Sequence, residues 1–131
     1  MAVVDGAAPD AAKQIIDMTN GGAWAVIDLV GASASARVGF DSLIKGGKYI
    51  IVGLFGGDLT VSLPPIAMRA LTIQGSYLGS LPEMAELIEL VRRTGLPPLP
   101  VTTRPLDDVN AVLAELRAGK VIGRVVLTPS A

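Results

Sequence analysis

The chain has 131 residues, of which 50% are hydrophobic and 18% are charged, and its formal net charge at pH 7 is −1. This length suits one domain, the apolar content excludes a disordered chain, and the charge shows no basic surplus that would indicate a nucleic acid or lipid partner. The sequence contains no cysteine and no histidine. Disulfides, thiolate or imidazole zinc ligands, a cysteine nucleophile and a Ser-His-Asp triad are therefore excluded.

The N-terminal residues show neither the charged region nor the apolar region of a signal peptide, and no apolar run reaches the roughly 18 residues of a membrane span. We therefore expect a cytoplasmic chain without a membrane partner. Residues 2–5 have the composition of a strand that starts directly after Met1. A strand at this position predicts that an upstream part of the domain is missing from the chain.

Helix and strand patterns alternate over the following residues. Apolar side chains at helical spacing, which end at a glycine pair, predict a first helix (Ala12, Ile15, Ile16, Thr19, then Gly21 and Gly22). Residues 24–30 and 48–54 are apolar runs without alternation, which is typical of parallel strands covered on both faces. A helix between them is predicted to begin at Ser33 or Ser35, to carry Leu43 and Ile44, and to end near Lys45 and Gly46.

Two more strand patterns and a well-marked helix come next. Residues 59–63 alternate between apolar and polar, which predicts a half-buried strand, and residues 71–77 predict another strand. Ser80 and Glu83 have the spacing of a capping box and precede an apolar stripe, which predicts a helix that Gly95 ends.

Residues 96–100 form a proline-rich connector and are the best candidate for a domain boundary. Beyond it, the sequence predicts an extended stretch over 101–104, a helix begun by Asp107 or Asp108, and a last strand over 124–128. Alternating strands and helices predict an α/β fold. In its parallel sheet, residues 24–30, 48–54 and 71–77 should lie side by side in that order.

Four segments in this order resemble the medium-chain dehydrogenase/reductase family, the zinc-type alcohol dehydrogenases. Residues 26–31, 46–53 and 71–79 resemble the fourth, fifth and sixth strands of that family's Rossmann cofactor domain, and residues 105–127 resemble its closing helix and strand. The resemblance implies a partial Rossmann-like parallel sheet flanked by helices over residues 1–95. It implies that residues 96–131 correspond to the segment that returns to the catalytic domain in the family.

Parts of the family have no counterpart in this sequence. They are the catalytic domain with its zinc ligands, the first two Rossmann strands, and the G-x-G-x-x-G turn that binds pyrophosphate. By this resemblance residues 2–5 match the third strand, so they should pair beside residues 24–30 or with another molecule. The implied function is the C-terminal part of an oxidoreductase that moves hydride between NAD or NADP and an alcohol or carbonyl. We expect no catalytic residue, no metal site and no activity in the isolated chain.

The resemblance implies three groups of cofactor-binding residues, each at the C-terminal end of a strand, where ligands lie in an open parallel sheet. The first group matches the adenosine and ribose side of the cofactor, and the other two match the nicotinamide side. Ordinary strand-exit geometry is the alternative explanation for every group. The groups are Leu29, Val30 and Gly31; Val52, Gly53 and Leu54; and Ser76, Tyr77 and Leu78.

Asp28 is the one acid inside an apolar strand pattern. A buried carboxylate is costly unless it is hydrogen-bonded, so it serves either as a perturbed general base or as a structural acceptor of nearby main-chain donors. We favour the structural role, because the family places an acid at this position without using it as the catalyst.

A homodimer through the strand at residues 59–63 is a further expectation. In the related dehydrogenases the corresponding strand pairs with its copy across a two-fold axis. Here the segment is short and alternating, and it contains no charged residue that would protect an exposed edge. The alternative to an oxidoreductase part is a non-catalytic Rossmann-like module that serves dimerisation.

Overall fold

The computed structural model describes residues 2–129. The chain divides into two compact units, Met1–Leu78 and a second unit that begins at Gly79. Each unit has its own small parallel sheet. The division predicted at residue 95 concerns the domain architecture of the whole family and stays a prediction.

The first unit is a three-stranded parallel sheet flanked by helices. The strands lie in the order β1-β2-β3, and both neighbouring pairs are parallel, which confirms the predicted fold class and the predicted strand order. In chain order its elements are α1 (Ala11–Met18), β1 (Ala23–Asp28), α2 (Ser33–Asp41), β2 (Leu43–Ile51), α3 (Leu63–Met68) and β3 (Thr72–Gly75).

The core of this unit lies between α2 and the sheet. Tyr49 on β2 is 1% exposed and packs with Phe40 of α2. Gly39 allows this packing, because a Cβ at that position would lie 2.9 Å from the Tyr49 ring and from Val26. The remaining buried members of the cluster are Ala36, Leu43 and Leu71.

Residues 2–5 do not form the predicted strand. The main chain turns at Asp5, whose carboxylate accepts a hydrogen bond from the Ala7 N–H at 2.9 Å and whose carbonyl accepts one from the Ala8 N–H at 3.1 Å. This turn leads into α1 instead of along β1. The predicted pairing beside residues 24–30 is therefore wrong: the turn at Asp5 takes the chain into α1, and the outer edge of β1 has no partner strand in the described sheet.

The boundary between α2 and β2 also differs from the prediction. The helix ends at Asp41, and the residues from Leu43 to Lys45 belong to β2. The Ser42 carbonyl accepts a hydrogen bond from the Ala23 N–H at 2.8 Å, which starts the pairing of β1 with β2. The glycine turn predicted to end the helix lies inside β2, where the register shifts. The strand predicted over 48–54 ends at Ile51.

Residues 59–62 are not in a strand, and Leu63 begins α3. Ser62 occupies the N-cap position with extended backbone, and the two prolines that follow lie in the first turn, where no N–H donor is needed. The alternation at these positions has a different cause: Leu59 and Val61 are half-buried against the core, while Thr60 is exposed. The strand prediction is wrong, and the dimer that depended on it stays a prediction.

The second unit contains α4 (Leu81–Thr94), β4 (Val101–Pro105), a 3₁₀ turn (Leu106–Asp108), α5 (Val109–Arg117) and β5 (Arg124–Thr128). Strands β4 and β5 are parallel. Arg104 of β4 forms ion pairs with Asp108 at 3.1 Å and with Glu115 at 3.0 Å, which hold the strand to the turn and to α5. The predicted final strand is confirmed at both ends.

Helix α4 confirms the predicted capping box. The Ser80 N–H donates to the Glu83 carboxylate at 2.6 Å, and the Glu83 N–H donates to the Ser80 hydroxyl at 3.4 Å. Gly95 ends the helix in the left-handed conformation, with φ at 63°. Over residues 2–129, no helix has the length and apolar character needed to span a membrane.

Candidate functional site

The three predicted groups follow β1, β2 and β3, and the structure places them at one edge of the first sheet. We call them the first loop (residues 29–31), the second loop (52–54) and the third loop (76–78). The Asp28 carbonyl accepts hydrogen bonds from the N–H groups of Val52 and Gly53, each at 2.9 Å. The Ser76 N–H donates to the Ile51 carbonyl at 2.8 Å. Each loop therefore starts beside its neighbour.

The first and second loops touch main chain to main chain. The Val30 carbonyl accepts from the Phe55 N–H at 3.1 Å, and the Gly31 carbonyl accepts from the Gly57 N–H at 2.9 Å. A Cβ at Gly53 would overlap the main chain of Val30, and Gly31 has a left-handed φ of 71°. Glycine is therefore required here by strand-exit geometry, whatever else the loops bind.

Two cavities adjoin these loops. One, of about 320 Å³, is lined by residues that include Gly31, Tyr49, Gly53 and Leu54. The other, of about 480 Å³, runs along β1 and includes Leu29 and Val30 in its lining. A ligand at this edge of the sheet would therefore meet small residues, apolar side chains and main-chain groups.

The third loop is more open than the other two. Tyr77 and Leu78 are 76% and 81% exposed, and Leu78 has a left-handed φ of 55°, which is uncommon for a residue other than glycine. Within residues 2–129, the hydrogen bond that joins this loop to β2 is the one at its start, from the Ser76 N–H to the Ile51 carbonyl. The structure brings this loop to the common edge without packing its large side chains.

Asp28 lies beneath the first loop and is 5% exposed. One carboxylate oxygen, Oδ1, accepts hydrogen bonds from the N–H groups of Val30 and Gly31, each at 2.9 Å. The other, Oδ2, accepts from the Tyr49 hydroxyl at 2.6 Å and from the Ser35 hydroxyl at 2.9 Å. With four donors around it, the carboxylate fits the structural role and not that of a general base.

The ionisation of this pair follows from the same contacts. Burial raises the pKa of Asp28, but the hydrogen bonds from Tyr49, Gly31, Val30 and Ser35 lower it by more, so the pKa lies below its ordinary value of 3.8. Burial and the hydrogen bond to Asp28 raise the pKa of Tyr49 above its ordinary value of 10.0. At neutral pH the pair is therefore a carboxylate and a neutral phenol.

Sequence reasoning missed Tyr49 as the partner of Asp28, although a tyrosine inside an apolar strand pattern needs a hydrogen-bond partner when buried. Ser35 was predicted only as a possible start of α2. In the structure its hydroxyl accepts from the Ala32 N–H at 3.1 Å and also donates to Asp28. The sequence signal for Tyr49 and Ser35 is a polar side chain at a position that the fold buries or half-buries.

Zinc does not fit this chain. The sequence has no cysteine or histidine, and within residues 2–129 no group of three or more acidic side chains is placed to hold a metal ion. Carboxylates alone are also a poor match for the nitrogen and sulfur ligands that zinc sites use. The expectation that the chain has no metal site is therefore based on the absence of histidine nitrogen and cysteine sulfur ligands from its sequence.

The parallel sheet, with helices on its faces and three loops at one edge, defines a Rossmann-like α/β fold. The chain belongs to the zinc-binding dehydrogenase family, whose model matches residues 1–93. This finding confirms the resemblance of the sequence to zinc-type medium-chain alcohol dehydrogenases.

Several known proteins support this assignment. The chain is 32% identical to an NAD-dependent alcohol dehydrogenase of Sulfurisphaera tokodaii over 97% of its own length and 37% of that protein. It is 28% identical to an alcohol dehydrogenase of Geobacillus stearothermophilus, over 95% of its own length and 36% of that protein. The crystal structure of the Aeropyrum pernix alcohol dehydrogenase superposes with a TM-score of 0.80 at 33% identity, covering 92% of this chain and 35% of that one. The chain thus spans little more than a third of the length of these relatives.

Proposed function

We propose that this chain is the C-terminal part of a nicotinamide-dependent, alcohol dehydrogenase-like oxidoreductase and that it supplies one side of the cofactor site. The observation that carries the proposal is the meeting of the three family-matching loops at one edge of a parallel sheet, where ligands of such sheets lie. Gly31 and Gly53 pack against each other's main chain, so the space for a flat ring would be the adjoining cavity and not the glycines themselves. The cavity of about 320 Å³ lies beside them.

The choice of cofactor stays open between NAD and NADP. One relative is called an NAD-dependent alcohol dehydrogenase, and another, 32% identical over 92% of this chain, is called an NADP(+) D-arabinose 1-dehydrogenase. The sequence contains no G-x-G-x-x-G turn for the pyrophosphate. The residues present therefore fit the nicotinamide end better than the phosphates.

The proposed reaction of the whole enzyme is hydride transfer between the nicotinamide cofactor and an alcohol or carbonyl carbon. When bound, the cofactor supplies or accepts the hydride. The part assigned to this chain is to bind and orient the nicotinamide end through the second and third loops. Because the chain has no zinc ligands and Asp28 is fully engaged, we assign it no catalytic residue. The cytoplasmic location expected from the sequence stays a prediction.

We expect NADH to bind at this edge of the isolated chain with a dissociation constant of about 1 mM, because one side of the cofactor site is present without the pyrophosphate turn. Titration of a ¹⁵N-labelled chain, followed by the amide signals of the three loops, measures this. ADP-ribose is the matched control ligand, because it lacks the nicotinamide ring. It should leave the signals of the second and third loops unchanged.

The alternative function, a non-catalytic module that serves dimerisation, is favoured by the segment 59–62. This extended segment carries no charge, and Leu59 and Val61 face the core while Thr60 is exposed. Its described main-chain hydrogen bonding is sparse: the Thr60 carbonyl accepts from Arg37 at 3.1 Å. Pairing with a second copy would satisfy further main-chain groups of the segment. We therefore propose a homodimer through residues 59–63.

The variant Thr60→Lys is expected to convert the dimer into a monomer. It places like charges close together across the proposed two-fold axis, and the exposed side chain leaves the core intact, whereas a change at half-buried Val61 would also disturb packing. Light scattering behind a sizing column should give twice 13.5 kDa for the unmodified chain and 13.5 kDa for the variant. Met18→Lys, at an exposed position on α1, is the control and should stay dimeric. A monomeric unmodified chain at tens of micromolar would overturn the dimer.

A further inference from the structure

Asp28 makes two separate connections to the loops at the sheet edge. Its Oδ1 atom accepts from the N–H groups of Val30 and Gly31 in the first loop. Its main-chain carbonyl accepts from the N–H groups of Val52 and Gly53 in the second loop. All four distances are 2.9 Å. Asp28 therefore accepts hydrogen bonds from two adjacent main-chain N–H groups in each of the two loops.

The same side chain is tied to the interior of the fold. Its Oδ2 atom accepts from Tyr49, a core residue of β2, and from Ser35 in the first turn of α2. Since Asp28 is almost completely buried, water cannot replace these partners without cost. The carboxylate thus links the first loop to the core by hydrogen bonds and holds the loop at a fixed position relative to it.

The position of the first loop in turn limits the second. Gly53 lies so close to Val30 that a side chain could not be inserted between them. The Phe55 N–H also bonds to the Val30 carbonyl. Any displacement of Val30 must therefore be followed by the second loop, whose main chain we have assigned to the nicotinamide end.

We propose that Asp28 is a positioning residue for cofactor binding, whose carboxylate holds the first loop, and through it the second loop, at one fixed spacing. This inference rests on the proposed function of the two loops. It goes beyond a stabilising role, because it predicts that loss of the carboxylate weakens cofactor binding, whereas a destabilising change elsewhere in the core does not.

Two variants separate the two roles. Asp28→Ala removes the acceptor of the Val30 and Gly31 amides. Phe40→Leu reduces packing in the core at the C-terminal end of α2, outside the lining of the cavity beside the loops, and leaves those amides bonded. Both should lower the urea midpoint of unfolding. Only Asp28→Ala should raise the dissociation constant for NADH, by at least about tenfold, while Phe40→Leu should change it less than about twofold.

Amide hydrogen exchange provides a readout that needs no cofactor. Asp28→Ala should accelerate exchange of the Val30 and Gly31 amides at least about tenfold relative to the β2 amides, whereas Phe40→Leu should not. If Asp28→Ala does not fold, Asp28→Asn replaces it. It keeps the side-chain shape but lacks the charge, and should give the same pattern with about a threefold loss of NADH affinity.

The outcomes distinguish this inference from the proposed function. If the unmodified chain binds NADH and both variants bind it equally well, the positioning role is wrong and the proposed function stands. If the unmodified chain does not bind NADH, the proposed function fails, and the exchange rates alone decide whether Asp28 positions the loop. Unchanged exchange at Val30 and Gly31 would overturn the inference in either case.

Discussion

Replacing Gly53 with alanine is expected to destabilise the first unit by about 3 kcal/mol, at the upper end of what overpacking costs. The added Cβ would overlap the main chain of Val30 and the N–H of Gly31, and main-chain atoms cannot move aside as a flexible side chain can. The first and second loops must separate to accommodate it. Urea unfolding followed by circular dichroism measures the loss.

Gly75→Ala is the matched control, because a Cβ at Gly75 in β3 would meet no atom within 4 Å. This variant should stay within about 0.5 kcal/mol of the unmodified chain. Equal unfolding midpoints for Gly53→Ala and the unmodified chain would show that the close contact between the two loops does not exist in solution.

Asp28→Ala is expected to cost about 3 kcal/mol at pH 7, because it leaves the buried Tyr49 hydroxyl and the main-chain donors of the first loop without their charged acceptor. The effect should depend on pH. The pKa of Asp28 is lower in the folded chain than its ordinary value of 3.8, so ionised Asp28 stabilises the fold above that value. This contribution is lost as the pH falls through the lowered pKa.

The difference in unfolding free energy between the unmodified chain and Asp28→Ala should therefore be constant near neutral pH and should narrow below about pH 4. Urea unfolding at a series of pH values measures it. Asp58→Ala removes an exposed carboxylate and is the control, with an expected change within about 0.5 kcal/mol. A difference that widens towards acid pH would contradict the assigned ionisation of Asp28.

Elements with strong local signals could be predicted from the sequence. The capping box of Ser80 and Glu83 and the left-handed Gly95 are local devices, and α4 lies where they place it. The apolar runs of β1 and β2 predicted parallel strands and their order, although β1 lies at an edge of the described sheet and exposes Trp24 and Ile27. For these elements, local preference and tertiary packing agree.

The wrong predictions share a different cause. Residues 2–5 and 59–63 have strand-like patterns, but whether such a segment pairs depends on where the fold carries it, and a local pattern does not contain that information. The end of α2 differs from the prediction for a similar reason, because the residues after it pair with β1, beginning with the hydrogen bond between Ser42 and Ala23, which are 19 positions apart.

In the candidate site, too, some features could be predicted from the sequence and others depend on contacts between distant residues. Its three loops were predicted from the family resemblance, and the same resemblance favoured the structural role of Asp28, because the cost of burying a carboxylate alone left a general base open. Its partner Tyr49 lies 21 positions away, and the contact of Gly53 with Val30 spans 23 positions. These contacts determine the spacing of the site, and only the folded chain reveals them.

The position of bound NADH on the ¹⁵N-labelled chain is the most direct test of the proposed cofactor site. We expect NADH to shift the amide signals of residues 29–31, 52–54 and 76–78, and ADP-ribose to leave the last two groups unchanged. Shifts confined to other parts of the chain, or no shift at several millimolar NADH, would contradict the cofactor site and leave the dimerisation module as the better description.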